Sequence, residues 1–138
     1  MKYKYTAIAG AQNIDGRITK RPIVDIEISN GKHARAFVAL IDSGADQISM
    51  PVYIAELFGI EKSPAQERPM MGISMVPVRG FVGTLTIQID GQKESFRPPI
   101  VFVDSEMPIV LGREGFFDRY RIEFEQDHDT FEIVPTSA

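Results

Sequence analysis

The sequence predicts an all-β domain of many short strands with one or two short helices. Three observations carry that expectation. Apolar and polar residues alternate with period 2 in several separate stretches, Asn-Gly and Asp-Gly dipeptides sit between such stretches, and helical periodicity is scarce. At 138 residues the chain fits one domain, 1–138. A chain of that size buries roughly two-thirds of its surface on folding and needs no disulfide or structural metal.

Residues 1–20 are expected to form an N-terminal strand or extension. Lys2 and Lys4 precede Thr6-Ala-Ile-Ala-Gly-Ala11, a run too short and too broken by glycine for an export leader. Val24, Ile26 and Ile28 alternate with Asp25, Glu27 and Ser29, the pattern of a strand with one buried face. Asn30-Gly31 then predicts a type I′ hairpin turn, whose two central residues both need positive φ. The returning strand runs from about His33 to Ile41. Pro51 to Phe58 allows two helical turns, with Pro51 near the first position and Gly59 as the stop.

Leu85, Ile87 and Ile89 mark the next strand, and Asp90-Gly91 signals a second hairpin. Its partner is expected over Glu94 to Val103, with Pro98-Pro99 interrupting or edging it. Gly112 to Asp118 is a candidate short helix that packs Phe116 and Phe117 against the core. Tyr120, Ile122 and Phe124, then Phe131 and Ile133, complete the strands.

Composition narrows the chemistry. Cysteine is absent, which excludes thiol catalysis, zinc–cysteine sites and a disulfide framework. His33 and His128 are the two histidines, so neither a multi-histidine metal site nor a His-based triad is expected. His128, between Asp127 and Asp129, suits an adventitious cation better than a specific metal site. The net charge of −4 lacks the basic surplus of a nucleic-acid binder, and Arg17, Lys20 and Arg21 read as solvated charge in a loop. The longest uncharged apolar run, Ala36 to Ile41, is far short of a membrane span. The expectation is therefore no metal, no cofactor, no nucleic acid, no membrane partner, and a cytoplasmic location.

The segment Ala39-Leu-Ile-Asp42-Ser-Gly-Ala-Asp-Gln-Ile-Ser-Met50 carries the most chemistry. An apolar strand ends abruptly in a carboxylate, a hydroxyl and a glycine. A carboxylate there faces a large desolvation cost unless donors surround it. Taken alone, Asp42-Ser43-Gly44 reads first as a turn, since all three are turn formers. A second segment, Pro108-Ile-Val-Leu-Gly-Arg113, shifts the balance.

Together the two segments resemble the retropepsin-like aspartic proteases of the single-domain, retroviral and bacterial type. Ala39 to Asp46 matches that family's catalytic motif, and Ile109-Val110-Leu111-Gly112-Arg113 matches its second hallmark. The resemblance implies a closed, barrel-like acid-protease fold. It implies Asp42 as the catalytic aspartate, with Ser43 hydrogen-bonding across the dyad and Gly44 binding substrate backbone through its carbonyl. Ala45 and Asp46 would contact substrate, and Asp46 would also form a partly buried structural pair with Arg113. A candidate flap spans 66–83, with Gly72, Ile73, Ser74 and Met75 meeting substrate. Ile73, Met75, Val76 and Val110 would line apolar pockets. Retroviral flaps usually carry several glycines, whereas Gly72 stands alone in the run Met70 to Val76; the methionines there also suit gap-filling in a core.

One Asp-Ser-Gly occurs in the chain, and the chemistry needs two aspartates, one to activate water and one to polarise the carbonyl. A symmetric homodimer sharing two Asp42 side chains meets that need. The expected function is thus an aspartic-type endopeptidase acting on a peptide or protein substrate. The competing expectation is a non-catalytic dimeric peptide- or protein-binding module that keeps the fold. A pure scaffold, however, has no reason to retain a costly buried carboxylate.

Overall fold

The structure is a computed structural model that describes residues 1–62, 67–71 and 77–136. Alternating residues form strands as their period demands. In chain order these are β1 (Lys2–Lys4), β2 (Thr6–Gln12), β3 (Ile18–Arg21), β4 (Ile23–Ser29), β5 (Ala34–Ile41) and β6 (Ile48–Pro51). Helix α1 (Val52–Leu57) follows, then β7 (Glu67–Met71), β8 (Pro77–Thr84), β9 (Thr86–Ile89) and β10 (Pro99–Val103). The last three are β11 (Ile109–Leu111), β12 (Tyr120–Glu125) and β13 (Thr130–Pro135).

Eight strands share one sheet in the order β7-β8-β10-β6-β11-β5-β4-β9. A smaller sheet has the order β1-β13-β12, and β2 pairs with β3 alone. Val24, Ile26 and Ile28 of β4 are buried, and they join Ile41, Ile48, Ile54, Ile87, Phe102, Leu111 and Phe116 in one core. Each such side chain removed from water contributes about 1.5–3 kcal/mol. The polar alternates Asp25 and Glu27 stay exposed, so one face of β4 is wet.

Three local expectations are corrected. The hairpin after β4 is closed by the Asn30 N–H to the His33 carbonyl (3.2 Å), which makes Gly31 and Lys32 its central residues. Gly31 has φ +92° while neither Asn30 nor Lys32 is at positive φ, so the turn lacks the two positive-φ residues that type I′ needs. The cause is the Asn30 side chain. Its Oδ1 accepts the Lys32 and His33 N–H groups at 3.1 and 3.0 Å, and its Nδ2 donates to the Phe58 carbonyl at 2.9 Å.

The strand after Asp90-Gly91 returns along β9 only as far as Phe96. The Gln92 N–H closes the turn on the Ile89 carbonyl (3.0 Å), and Ile87 and Phe96 exchange backbone hydrogen bonds at 2.8 and 2.9 Å. Pro98-Pro99 then interrupt the ladder, and the rest of the expected partner, β10, pairs with β8 and β6 instead of β9. The third correction concerns Gly112 to Asp118, which makes a run of turns in place of a helix. The backbone of Arg113 and Glu114 is already bonded to the chain at Ala45 and Asp46. Phe116 is nonetheless fully buried, in edge contact with Phe117.

Candidate active site

The two sequence motifs lie side by side. β11 runs parallel to β5, with Ile109 beside Ala39, Val110 beside Leu40 and Leu111 beside Ile41. On its other side β11 meets β6, Val110 against Ser49. The chain leaving β5 at Asp42 must therefore cross over the end of β11 to enter β6 at Ile48. That crossing is the loop 42–47.

Backbone hydrogen bonds fix the crossing at both ends. The Asp42 N–H donates to the Leu111 carbonyl (3.1 Å), the Arg113 N–H to the Ala45 carbonyl (2.9 Å) and the Glu114 N–H to the Asp46 carbonyl (2.8 Å). Gln47 and Glu114 complete it as a parallel bridge. Gly112 sits beneath the loop with no space for a side chain: a Cβ there would lie 2.3 Å from the Gln47 carbonyl oxygen and 2.7 Å from that of Ala45. Real Cβ atoms do not approach backbone so closely, so glycine is required for contact alone.

The Asp42 carboxylate is half-buried, and its Oδ1 accepts the Gly44 N–H at 2.9 Å. The Ala45 N–H donates to the Asp42 carbonyl at 3.2 Å, which tightens the turn. Ser43 and Gly44 are exposed, and Ala45 is half-buried. The carboxylate thus keeps contact with water in the single chain and does not carry the desolvation cost expected of a buried one. An open face holding a fixed carboxylate can hold a proton or orient a water, but one such group cannot act as acid and base together.

The Arg113 guanidinium donates to Asp46 Oδ1, so the two residues are in contact. The expected partial burial is absent: the side chains are 60% and 70% exposed. At that exposure the pair contributes only ~0–1 kcal/mol. A groove of ≈ 730 Å³ lined by Phe96, Arg119, Tyr120 and Pro135, among others, lies elsewhere, and none of residues 42–47 borders it.

Solved structures share this architecture, and two of them show how far. The first, EIAV protease complexed with the inhibitor HBY-793, superposes with a TM-score of 0.56 at 20% identity, over 78% of this chain and 92% of that one. The second, a retropepsin-like aspartic protease from Rickettsia conorii, gives 0.54 at 14% identity, over 96% of this chain and 90% of the other. The chain has the retropepsin-like fold. No family model matches the sequence, and no curated protein matches it.

Within the retropepsin-like fold, β7 and β8 pair antiparallel at one edge of the large sheet, from Glu67–Phe81 to Met71–Pro77. The expected flap residues Gly72, Ile73, Ser74, Met75 and Val76 lie outside the described residues. Val110 is half-buried in β11, one residue before the crossing. Gln47 and Glu114 were missed by sequence reasoning, although each adjoins a motif it used. A parallel register between the two motifs would have paired them, but no periodicity reports a register. Among the described residues there is no group of three or more His, Asp or Glu side chains placed to hold a metal ion, and no helix long and apolar enough to cross a membrane.

Proposed function

We propose that this protein is an aspartic-type endopeptidase, active as a homodimer in which each subunit supplies one Asp42. The observation that carries this reading is the crossing loop, which fixes a half-buried carboxylate on an open face of a retropepsin-like fold. Two such carboxylates on a two-fold axis resist joint ionisation and share one proton. The ionised one takes a proton from water as that water attacks the scissile carbonyl, and the protonated one donates to the carbonyl oxygen. The gem-diol then collapses: the carboxyl that took the water's proton gives it to the departing nitrogen as the C–N bond breaks, and the other carboxylate takes a proton from a gem-diol hydroxyl. This releases the amine and the acid with no covalent intermediate and no cofactor.

The other residues support that step. Ser43 hydrogen-bonds across the dyad, the Gly44 carbonyl holds substrate backbone, and Ala45 and Asp46 extend that contact. Arg113 keeps Asp46 in position. Residues 66–83 close over the extended peptide, with Gly72 to Met75 above it and Val110 beside it, so that substrate pairs like an added strand.

The test is cleavage of a peptide library across pH by wild type and Asp42→Asn. The wild-type rate should follow a bell, its acid limb set by protonation of the base and its alkaline limb by loss of the shared proton. Asp42→Asn should lower kcat/KM by at least ~10³-fold, within the range for removing general acid–base catalysis. Cleavage that persists in the variant, or that stops with EDTA, places the chemistry elsewhere. Peptide binding with no cleavage at any pH identifies the non-catalytic module instead.

A further inference from the structure

We infer that the β2–β3 ribbon, residues 6–21, is an arm that grips a second copy of this chain and sets the strength of the dimer. The inference rests on the proposed homodimer and makes its contact specific. Its first support is that no residue from 6 to 21 is buried: Ile8, Ala11 and Thr19 are half-buried and the others exposed. Ile14 at the tip is 110% exposed and Ile18 57%. Among the described residues the ribbon pairs with no third strand, and a lone two-stranded hairpin is marginal in water. The neighbouring β1 is already paired with β13 of its own chain, so the ribbon is the N-terminal element left without a packed face.

The ribbon is also shaped. Ala7 faces Lys20 and Gln12 faces Ile18, so β2 advances five positions while β3 advances two. The extra residues include Gly10 at φ +78°, where a Cβ would meet nothing within 4 Å. That glycine serves the backbone and not a close approach within the chain. Bulges of this kind bend and twist a ribbon, and they recur where a strand must be re-aimed.

Charge selects the occupant. Residues 6–21 hold Arg17, Lys20 and Arg21 against Asp15, a net of +2. The whole chain is −4, so the remaining residues carry −6. Arg17 pairs with Asp15 and Lys20 with Asp129, while Arg21 has no ion pair among the described residues. A cationic arm with an apolar tip therefore fits an acidic body, and another copy of this chain presents one.

The experiment is sedimentation equilibrium of the full chain, wild type beside Ile14→Asp/Ile18→Asp and beside a chain in which a short Gly-Ser turn replaces residues 7–20. Thermal melting followed by circular dichroism tests that each variant is folded, and peptide cleavage is measured in parallel. The substituted residues are exposed, so folding should be unaffected and the dimer dissociation constant should rise by ~10-fold or more, the effect of one well-packed interface side chain. Added salt should weaken the wild-type dimer, since its opposed charges are screened. Variants that dimerise as tightly as wild type, or a wild type monomeric at concentrations where it cleaves, overturn the arm. Arm-dependent dimers that never cleave peptide sustain the arm and sink the protease reading. Asp42-dependent cleavage by dimers indifferent to the arm does the reverse.

Discussion

The crossing loop 42–47 and the β2–β3 ribbon are both exposed excursions from the sheets, yet they are held by opposite means. The loop is held by residues far along the chain, through the carbonyl of Leu111 and the N–H groups of Arg113 and Glu114, with backbone packed directly on Gly112. Beyond its own ladder, the ribbon tip is held by near neighbours. The Asn13 N–H donates to the Arg17 carbonyl (2.7 Å), Thr19 Oγ1 to Asn13 Oδ1 (2.9 Å), and Arg17 pairs with Asp15. Local hydrogen bonds give a segment its shape but bury nothing. Contacts from distant strands give a segment its position, which is what a carboxylate needs if it is to meet a partner at hydrogen-bonding distance.

The contrast is sharpest at two glycines. Gly112→Ala should have the largest effect, because backbone on both sides of the loop must move. A destabilisation of about 3 kcal/mol, the upper part of the range for overpacking, is expected in urea unfolding, together with loss of cleavage. An unchanged midpoint would show that the loop is as loose as the ribbon. Gly10→Ala meets no atom and strains only its own φ, so a cost of about 1–2 kcal/mol is expected. Cleavage at saturating protein concentration should survive it.

Smaller effects follow at the exposed side chains. Arg113→Ala should lower monomer stability by ~0–1 kcal/mol, since the pair with Asp46 is solvated. If dimer formation buries that pair, the same variant will lose far more in dimer affinity than in monomer melting, a difference that ultracentrifugation and calorimetry together can read. Ile14→Ser should change the monomer midpoint by no more than about 0.5 kcal/mol, as expected for a surface site. A larger loss would mean that the ribbon tip packs on its own chain.

Much of the fold was legible because period 2 is written directly into β4, β9, β12 and β13. Strands form at each of these stretches, and β12 pairs with β13 so that Ile122 faces Ile133 and Phe124 faces Phe131. The failures share one cause, which is that a local signal was overruled by a distant partner. Asn30 was read as a turn residue, but its side chain anchors the hairpin to the end of α1 through Phe58, which shifts the turn by one position. β10 was expected beside β9 and instead found β6 and β8. At the site, the motifs named Asp42, Gly112 and Arg113 but not the exposure of Asp46 and Arg113, because burial belongs to the assembled surface and not to a string of residues. The ribbon's bulge left no sequence signal beyond a glycine in an alanine-rich strand.

The parallel seating of β11 between β5 and β6 also has a consequence in time. Asp46 and Arg113 meet across 67 positions of sequence, and no shorter piece of chain can hold the crossing loop in place. Closing so long a loop gives little return until the final strands dock, so folding to this geometry is expected to be slow for a domain of this length. During synthesis the Asp42 segment leaves the ribosome early and waits unsupported while the residues up to Glu114 are added. On the proposed protease reading, the Asp42 loop reaches its working geometry only after the residues through Glu114 have been added and docked.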